Sequence, residues 1–178
     1  MLDTKTFTAS ARRVQTVMTL CLALFATLFL ALILGGLIKP HDVGALIAEF
    51  AGFEGENRAR WQDAGLIAVV ALNLAIWTVL VFYARQVFAH LATGVPDAAA
   101  YAARRLSYWI WIMLAWGLLS QALTSLLATW GYPEGQRAIA IGLGIPQIST
   151  VLAALVTGFM AQTFAFGAEL WRDHQEVV

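Results

Sequence analysis

The stretch VQTVMTLCLALFATLFLALILGGLI, residues 14–38, decides the fold class of this protein. It contains no Asp, Glu, Lys, Arg or His. At about 1.5 Å per residue, a helix of this length reaches roughly 37 Å, which exceeds the ~30 Å hydrocarbon core of a bilayer. A cleaved signal peptide has a shorter apolar part and a small-residue cleavage site, and neither is present here. We therefore predict a retained transmembrane helix that ends at Lys39-Pro40, because proline cannot continue the hydrogen-bond ladder.

Three further apolar runs follow, at about 64–83, 108–130 and 146–168. The whole chain is 60% hydrophobic and only 12% charged, against roughly 25% charged in typical globular proteins. A soluble fold of 178 residues has too much surface for its volume to hide so many apolar side chains. The sequence therefore predicts an all-α fold, a bundle of four transmembrane helices that forms a single membrane domain over residues 1–178.

The distribution of Lys and Arg predicts the orientation of these spans. Seven basic residues lie before the first run, between the second and third runs, or after the fourth run, and four lie in the other two loops. Basic residues accumulate on the cytoplasmic side of a membrane, so we predict that both termini are cytoplasmic. The net charge is zero, which argues against a nucleic-acid partner, because such a protein shows a basic face.

The two long loops have different patterns. The outer loop, residues 39–63, is acidic and carries apolar residues at helical spacing, which predicts a short amphipathic helix on the outer membrane surface or over the bundle. The other loop, residues 84–107, is predicted to be helical at both ends, with a stop at Thr93-Gly94. It would form a cytoplasmic hairpin between the second and third spans. The apolar residues of the outer loop are Val43, Leu46, Ile47, Phe50 and Phe53.

No constellation of residues predicts catalysis or cofactor binding. The middle of each apolar run is free of ionisable residues, which are the usual mark of function inside a membrane. The three histidines, His41, His90 and His174, lie in loops or at helix ends, and no metalloprotease, phosphate-binding or nucleophile motif is present. The single cysteine, Cys21, cannot form an internal disulfide. We predict a protein without catalytic, cofactor-binding or metal-binding residues.

Uncharged polar residues remain as candidates for a site. The third and fourth runs each carry small and polar residues along one helical face, and such faces let membrane helices approach closely. One interpretation is helix packing, and the other is a small polar cavity for a ligand or lipid head group. A second candidate is the basic group of the cytoplasmic hairpin, which could contact a partner: Arg85, Arg104 and Arg105. The residues of the packing face or ligand cavity are Asn73, Gln121, Thr124, Gln147, Thr157 and Gln162.

Two segments carry a resemblance to a known family. LATGVPDAAAYAARRLSYWIWI, residues 91–112, has Gly94, Pro96 and Arg105-Leu106, and the C-terminal segment FAFGAELWRDHQEVV has an aromatic, a Gly-x-x-Leu and an acidic tail. Both resemble bacterial four-span membrane proteins catalogued as domain of unknown function 2975. The resemblance implies a bacterial plasma-membrane protein without known catalysis, in a family often found beside small helix-turn-helix regulators. It implies no catalytic residues.

Two functions are compatible with these observations. The first is a non-enzymatic protein that works by protein–protein contact, as an accessory subunit of a membrane complex or as the membrane partner of a cytoplasmic regulator. The alternative is a small transporter or channel with a polar path lined by the third and fourth spans, against which the lack of intramembrane charge stands. The expected partners are membrane lipids and either another protein or further copies of the chain.

Overall fold

A computed structural model of the chain describes residues 4–53, 58–133, 137 and 139–176. Its secondary structure in these ranges consists of helices alone, so the prediction of an all-α fold is confirmed for them. Residues 54–57 of the predicted outer loop lie outside the described ranges. The five helices, in chain order, are α1 (Thr4–Ile38), α2 (Pro40–Phe50), α3 (Arg60–Thr93), α4 (Pro96–Thr129) and α5 (Ile145–Glu176).

Four of these helices are long and apolar enough to cross a membrane. These helices continue beyond the apolar runs of the sequence. Outside the lipid a helix needs only residues of high helix propensity. Alanine-rich segments such as AAAYAARRL, residues 98–106, supply such residues. The chain is thus a candidate multi-pass membrane protein. The stretches that meet these criteria of length and composition are Ser10–Ile38, Arg60–Thr93, Asp97–Thr129 and Ile145–Glu169. At about 1.5 Å per residue the longer ones exceed the ~30 Å hydrocarbon core, so their ends can lie outside it.

The junction between α3 and α4 is a two-residue turn. Gly94 has a φ of +71°, a left-handed conformation that costs glycine little. Its N–H donates to the Leu91 carbonyl at 3.3 Å, and the N–H of Val95 donates to the His90 carbonyl at 3.1 Å. This pair of bonds is a Schellman motif, which satisfies the last carbonyls of α3. Proline then follows as the first residue of α4, where its missing N–H costs nothing.

The chain divides into two compact units, and α1, α3 and α4 each contribute one part to both. The first unit, unit 1, contains all of α5. Three alanines of α5 are buried in it at seven-residue spacing, Ala154, Ala161 and Ala168, which is the period of coiled-coil packing. Their small side chains permit close helix approach. The units are Met1–Leu24, Thr78–Ile112 and Ile145–Val178 (unit 1), and Phe25–Trp77 and Met113–Gly144 (unit 2).

Unit 2 contains α2, whose small residues pack into the protein. Gly44 and Ala48 are its buried residues, whereas Leu46 and Phe50 are exposed. A helix lies in the predicted outer loop, but its most deeply buried residues are small, and of its larger apolar side chains Val43 and Ile47 are only half-buried. The reason is distance, since a face of glycine and alanine brings a helix axis closer to its neighbour than leucine and phenylalanine do. The placement of α2 on a membrane surface stays a prediction.

Candidate functional site

A basic and aromatic face lies on α4 within unit 1. Tyr101, Arg104, Arg105 and Tyr108 occupy successive turns of one side of the helix and are all exposed. Tyr101 and Tyr108 are 58% and 59% exposed. We call these four residues the Tyr101–Tyr108 face.

The guanidinium group of Arg105 is held in place by a neighbouring ring. Its Nε donates a hydrogen bond to the Tyr101 hydroxyl at 3.0 Å, and its Cζ lies 5.3 Å from the centroid of the Tyr101 ring. This is a cation–π contact reinforced by a hydrogen bond across one turn of helix. Among the described side chains, neither Arg104 nor Arg105 has a carboxylate within 4.0 Å. The positive charge of this face is therefore not neutralised by the described part of the chain.

Arg85, the third predicted contact residue, has a different environment. It is half-buried, and its Nε donates to Thr19 Oγ1 on α1 at 3.0 Å. Both residues belong to unit 1. The structure thus uses Arg85 to join α3 to α1, and Arg104 and Arg105 are the exposed members of the predicted group.

The polar residues of α4 bind a non-helical segment of the same chain. Gln121 Oε1 accepts a hydrogen bond from the Gly142 N–H at 2.8 Å, and Ser125 Oγ accepts one from the Ala140 N–H at 2.9 Å. The backbone of residues 139–144 lies outside any helix, so its amides need partners, especially close to lipid. Gln121, a residue of the predicted polar face, and Ser125, one helical turn further along α4, supply two of these partners.

The other residues of the predicted packing face or ligand cavity differ in their burial. Asn73, Thr124, Gln147 and Thr157 are half-buried, and Gln162 is exposed. Gln121 belongs to unit 2 and Gln162 to unit 1. No two of the six side chains share a described hydrogen bond, and a ligand cavity built from them stays a prediction.

Close helix packing does occur beside Thr157, and the hydroxyl group that takes part in it belongs to Ser107, a residue that the sequence analysis did not single out. Ser107 of α4 donates its hydroxyl to the Ala154 carbonyl of α5 at 3.0 Å. A Cβ on Gly158 would lie 3.2 Å from the same hydroxyl oxygen. A small residue and a hydroxyl therefore bring α4 and α5 together in unit 1, as is typical of membrane helices.

A buried carboxylate in unit 2 is the functional group that sequence reasoning missed. Asp63, in the first turn of α3, has a side chain only 1% exposed. Its Oδ2 lies 2.8 Å from His41 Nδ1 of α2, and its Oδ1 lies 3.4 Å from Arg58 Nε, whose side chain is 7% exposed. The Arg58 contact is an ion pair without a hydrogen bond. A buried carboxylate persists only with such partners, because an unpaired charge is costly to desolvate.

Gly44 of α2 closes the remaining side of this carboxylate. A Cβ on Gly44 would overlap the Asp63 carboxylate group and lie 2.5 Å from the Asp63 Cβ. The neighbouring Gln62 completes the start of α3, since its Oε1 accepts from the Ala59 N–H and its Nε2 donates to the Leu127 carbonyl at 2.8 Å. The bond to Ala59 is half of a capping box.

Only one sequence signal could have identified this cluster. Asp63 directly precedes a long apolar run, and a carboxylate in a first helical turn is favoured by the helix dipole. Nothing in the sequence shows that His41, twenty-two residues away, reaches it. No group of three or more His, Cys, Asp or Glu side chains in the described residues is arranged to hold a metal ion.

The fold and these sites define a small helical protein with four candidate membrane spans, a basic face at one end of α4 and a buried carboxylate in unit 2. Comparison with known proteins adds no relative, since no family model, no curated protein and no solved structure matches the chain.

Proposed function

We propose that this protein is a non-enzymatic integral membrane protein that acts by protein–protein contact. It would serve as an accessory subunit of a membrane complex or as the membrane partner of a cytoplasmic regulator. The observation that carries the proposal is the Tyr101–Tyr108 face, with two exposed arginines between two exposed tyrosines. Tyrosine and arginine are enriched among the residues that supply most of the binding energy of protein interfaces.

The contact between Arg105 and Tyr101 supports this assignment. A free arginine side chain loses about 0.5–1.5 kcal/mol of rotamer freedom when an interface immobilises it. Arg105 is already held by a hydrogen bond and a ring, so part of this cost is met before a partner arrives. A guanidinium in this position can form bidentate bonds to a carboxylate. We expect an acidic surface on the partner.

The proposed location of the chain is compatible with contact to a cytoplasmic partner. We propose that the chain resides in the plasma membrane of a bacterium, the inner membrane where there are two, with both termini in the cytoplasm. The seven-to-four distribution of basic residues supports this orientation, and the resemblance of residues 91–112 to the bacterial four-span family supports the source. The turn at Gly94 would then project the Tyr101–Tyr108 face from the cytoplasmic membrane surface.

Charge reversal with co-purification tests the proposal. The full-length chain with a C-terminal tag is extracted from its native membrane in a mild detergent, and the proteins that co-purify are quantified. We expect Arg104→Glu and Arg105→Glu each to reduce a stoichiometric partner at least tenfold, because each replaces an attraction by a repulsion. Arg60→Glu is the matched control. Arg60 is also exposed, but it is the first residue of α3, at the end of that helix away from the turn at Gly94.

Two further results sharpen the test. Tyr101→Phe removes the hydroxyl that holds Arg105 and leaves the ring, so it should weaken the partner less than charge reversal does. Full recovery of the partner with both charge-reversal variants, at wild-type levels of inserted protein, would show that this face is not the contact surface.

A further inference from the structure

The corner between α1 and α2 forms an open cleft of about 280 Å³ in unit 2. α1 ends at Ile38, where the Lys39 N–H still bonds to the Gly35 carbonyl at 2.8 Å, and α2 begins at Pro40. A Cβ on Gly35 would lie 3.3 Å from Val43, so the glycine leaves the cleft open. The walls are mostly apolar, and the lining residues are Gly35, Ile38, Lys39, Asp42, Val43 and Leu46.

The packing of α2 on α3 fixes the orientation of this cleft. Gly44 and Ala48 are buried, and His41, on the same side of α2, binds the Asp63 carboxylate at 2.8 Å. These contacts hold α2 in one rotation about its axis. Its other side therefore presents Leu46 to the cleft and leaves Phe50 86% exposed.

An ion pair between one lysine and one aspartate lies at the cleft. Lys39 Nζ lies 3.4 Å from Asp42 Oδ2, and their side chains are 72% and 65% exposed. This pair follows the last residue of a candidate span, which is the depth at which lipid head groups lie. So exposed an ion pair contributes little to stability, and both groups are accessible to a ligand.

We propose that this corner binds a single phospholipid with a zwitterionic aminated head group. One acyl chain lies in the cleft against Ile38, Val43 and Leu46. The phosphate binds the Lys39 ammonium, and the protonated amine of the head group binds the Asp42 carboxylate. The exposed ring of Phe50 inserts into the neighbouring acyl region, as aromatic residues of interfacial helices do.

Charge selects this lipid over an anionic one. A lipid with only a negative head group would be attracted by the Lys39 ammonium group but repelled by the neighbouring Asp42 carboxylate. A phosphoethanolamine head group carries both charges and exchanges the protein's own ion pair for two new ones. The proposal does not rest on the protein–protein function, because the corner and the Tyr101–Tyr108 face share no residue.

Native mass spectrometry of the purified full-length chain tests this site. The protein is delipidated in detergent and titrated with dioleoyl phosphatidylethanolamine or dioleoyl phosphatidylglycerol. We expect one phosphatidylethanolamine per chain, retained about tenfold more strongly than phosphatidylglycerol. Lys39→Gln should weaken phosphatidylethanolamine about tenfold, because it removes one charge-assisted interaction, whereas Arg60→Gln, an exposed arginine outside the cleft, should have no effect.

Two variants separate the head-group contact from the acyl-chain contact. Asp42→Asn should reverse the preference toward phosphatidylglycerol, because it frees the Lys39 charge for an anion. Leu46→Trp fills the cleft and should remove the bound lipid while leaving the charged pair intact. Equal affinity of the wild-type chain for both lipids, or unchanged binding in the Lys39→Gln and Leu46→Trp variants, would overturn the proposal.

Discussion

Asp63 shows how a single residue can organise a part of this protein. Its carboxylate lies between a histidine of α2 and an arginine that precedes α3, and the backbone of Gly44 covers it. Removing one partner of a buried ion pair costs about 3–5 kcal/mol, because the other charge is left uncompensated. The position of α2 therefore depends on a glycine and a carboxylate that are distant in sequence.

The closest approach in this cluster leads to a stability prediction. Gly44→Ala places a methyl group against the Asp63 carboxylate, so either α2 or the carboxylate must move. Overpacking of this kind costs about 1–3 kcal/mol, and we expect thermal unfolding in detergent at a lower temperature.

Gly117→Ala is the matched control for this measurement. Gly117 also lies inside a helix, but a Cβ there meets nothing within 4 Å. Alanine is the better helix former, so this change should be neutral or stabilising by up to about 1 kcal/mol. If Gly44→Ala unfolds no earlier than Gly117→Ala, the contact between α2 and Asp63 is not tight in the native protein.

At the scale of elements, α4 acts as a support for the segment that leads into α5. Gln121 lies eight residues before Thr129, the end of α4, which is about 12 Å along the helix. The non-helical backbone of residues 139–144 follows α4 to that depth and obtains two hydrogen bonds from it. Such backbone is tolerated at membrane depth only where protein groups satisfy it.

A leucine at position 121 tests this role. Gln121→Leu removes the acceptor of the Gly142 N–H, and an amide that faces lipid without a partner costs about 1–3 kcal/mol, because no water is present to replace the bond. We expect a lower unfolding temperature and faster hydrogen exchange at Gly142. Gln162→Leu is the control, since Gln162 is exposed and its loss should leave stability unchanged.

The same variant distinguishes the two interpretations of the polar face. If Gln121 lined a transport path, Gln121→Leu would abolish a solute flux into vesicles without slowing or hastening exchange at Gly142. A stable variant with wild-type exchange at Gly142 would show that the loop does not depend on this glutamine.

At the scale of the whole molecule, orientation decides which solvent each surface meets. The proposed contact face of α4 serves a cytoplasmic partner only if the turn at Gly94 is cytoplasmic. The charge distribution predicts this orientation, and the single cysteine of the chain, Cys21, makes it simple to test.

Cysteine labelling in a Cys21→Ser background measures orientation. Val95→Cys lies in the exposed turn between α3 and α4, and Gly131→Cys lies in the exposed segment after α4. A membrane-impermeant maleimide added to intact spheroplasts should label Gly131→Cys at once and Val95→Cys only after permeabilisation. The reverse pattern would invert the protein and remove the cytoplasmic regulator as a partner.

The helical architecture could be predicted because its causes are local. Runs without charge, such as residues 14–38, and helix-ending residues such as Gly94 and Pro40 act through their immediate neighbours. Arg104 and Arg105 could likewise be selected as exposed charges. Arg85 could not be distinguished from them, because it bonds to Thr19, a residue of another helix sixty-six positions earlier in the chain.

The sequence by itself determined that this is an all-α protein with four helices fit to cross a membrane, since a helix satisfies its own backbone and lipid demands only apolar side chains. Tertiary structure alone decided that Asp63 is a buried ion-pair partner, that Gln121 and Ser125 bind a loop, and that α2 packs through Gly44 and Ala48. These outcomes depend on the register and distance between helices that are far apart in the chain, and no local pattern encodes the contact of a carboxylate with a glycine on another helix.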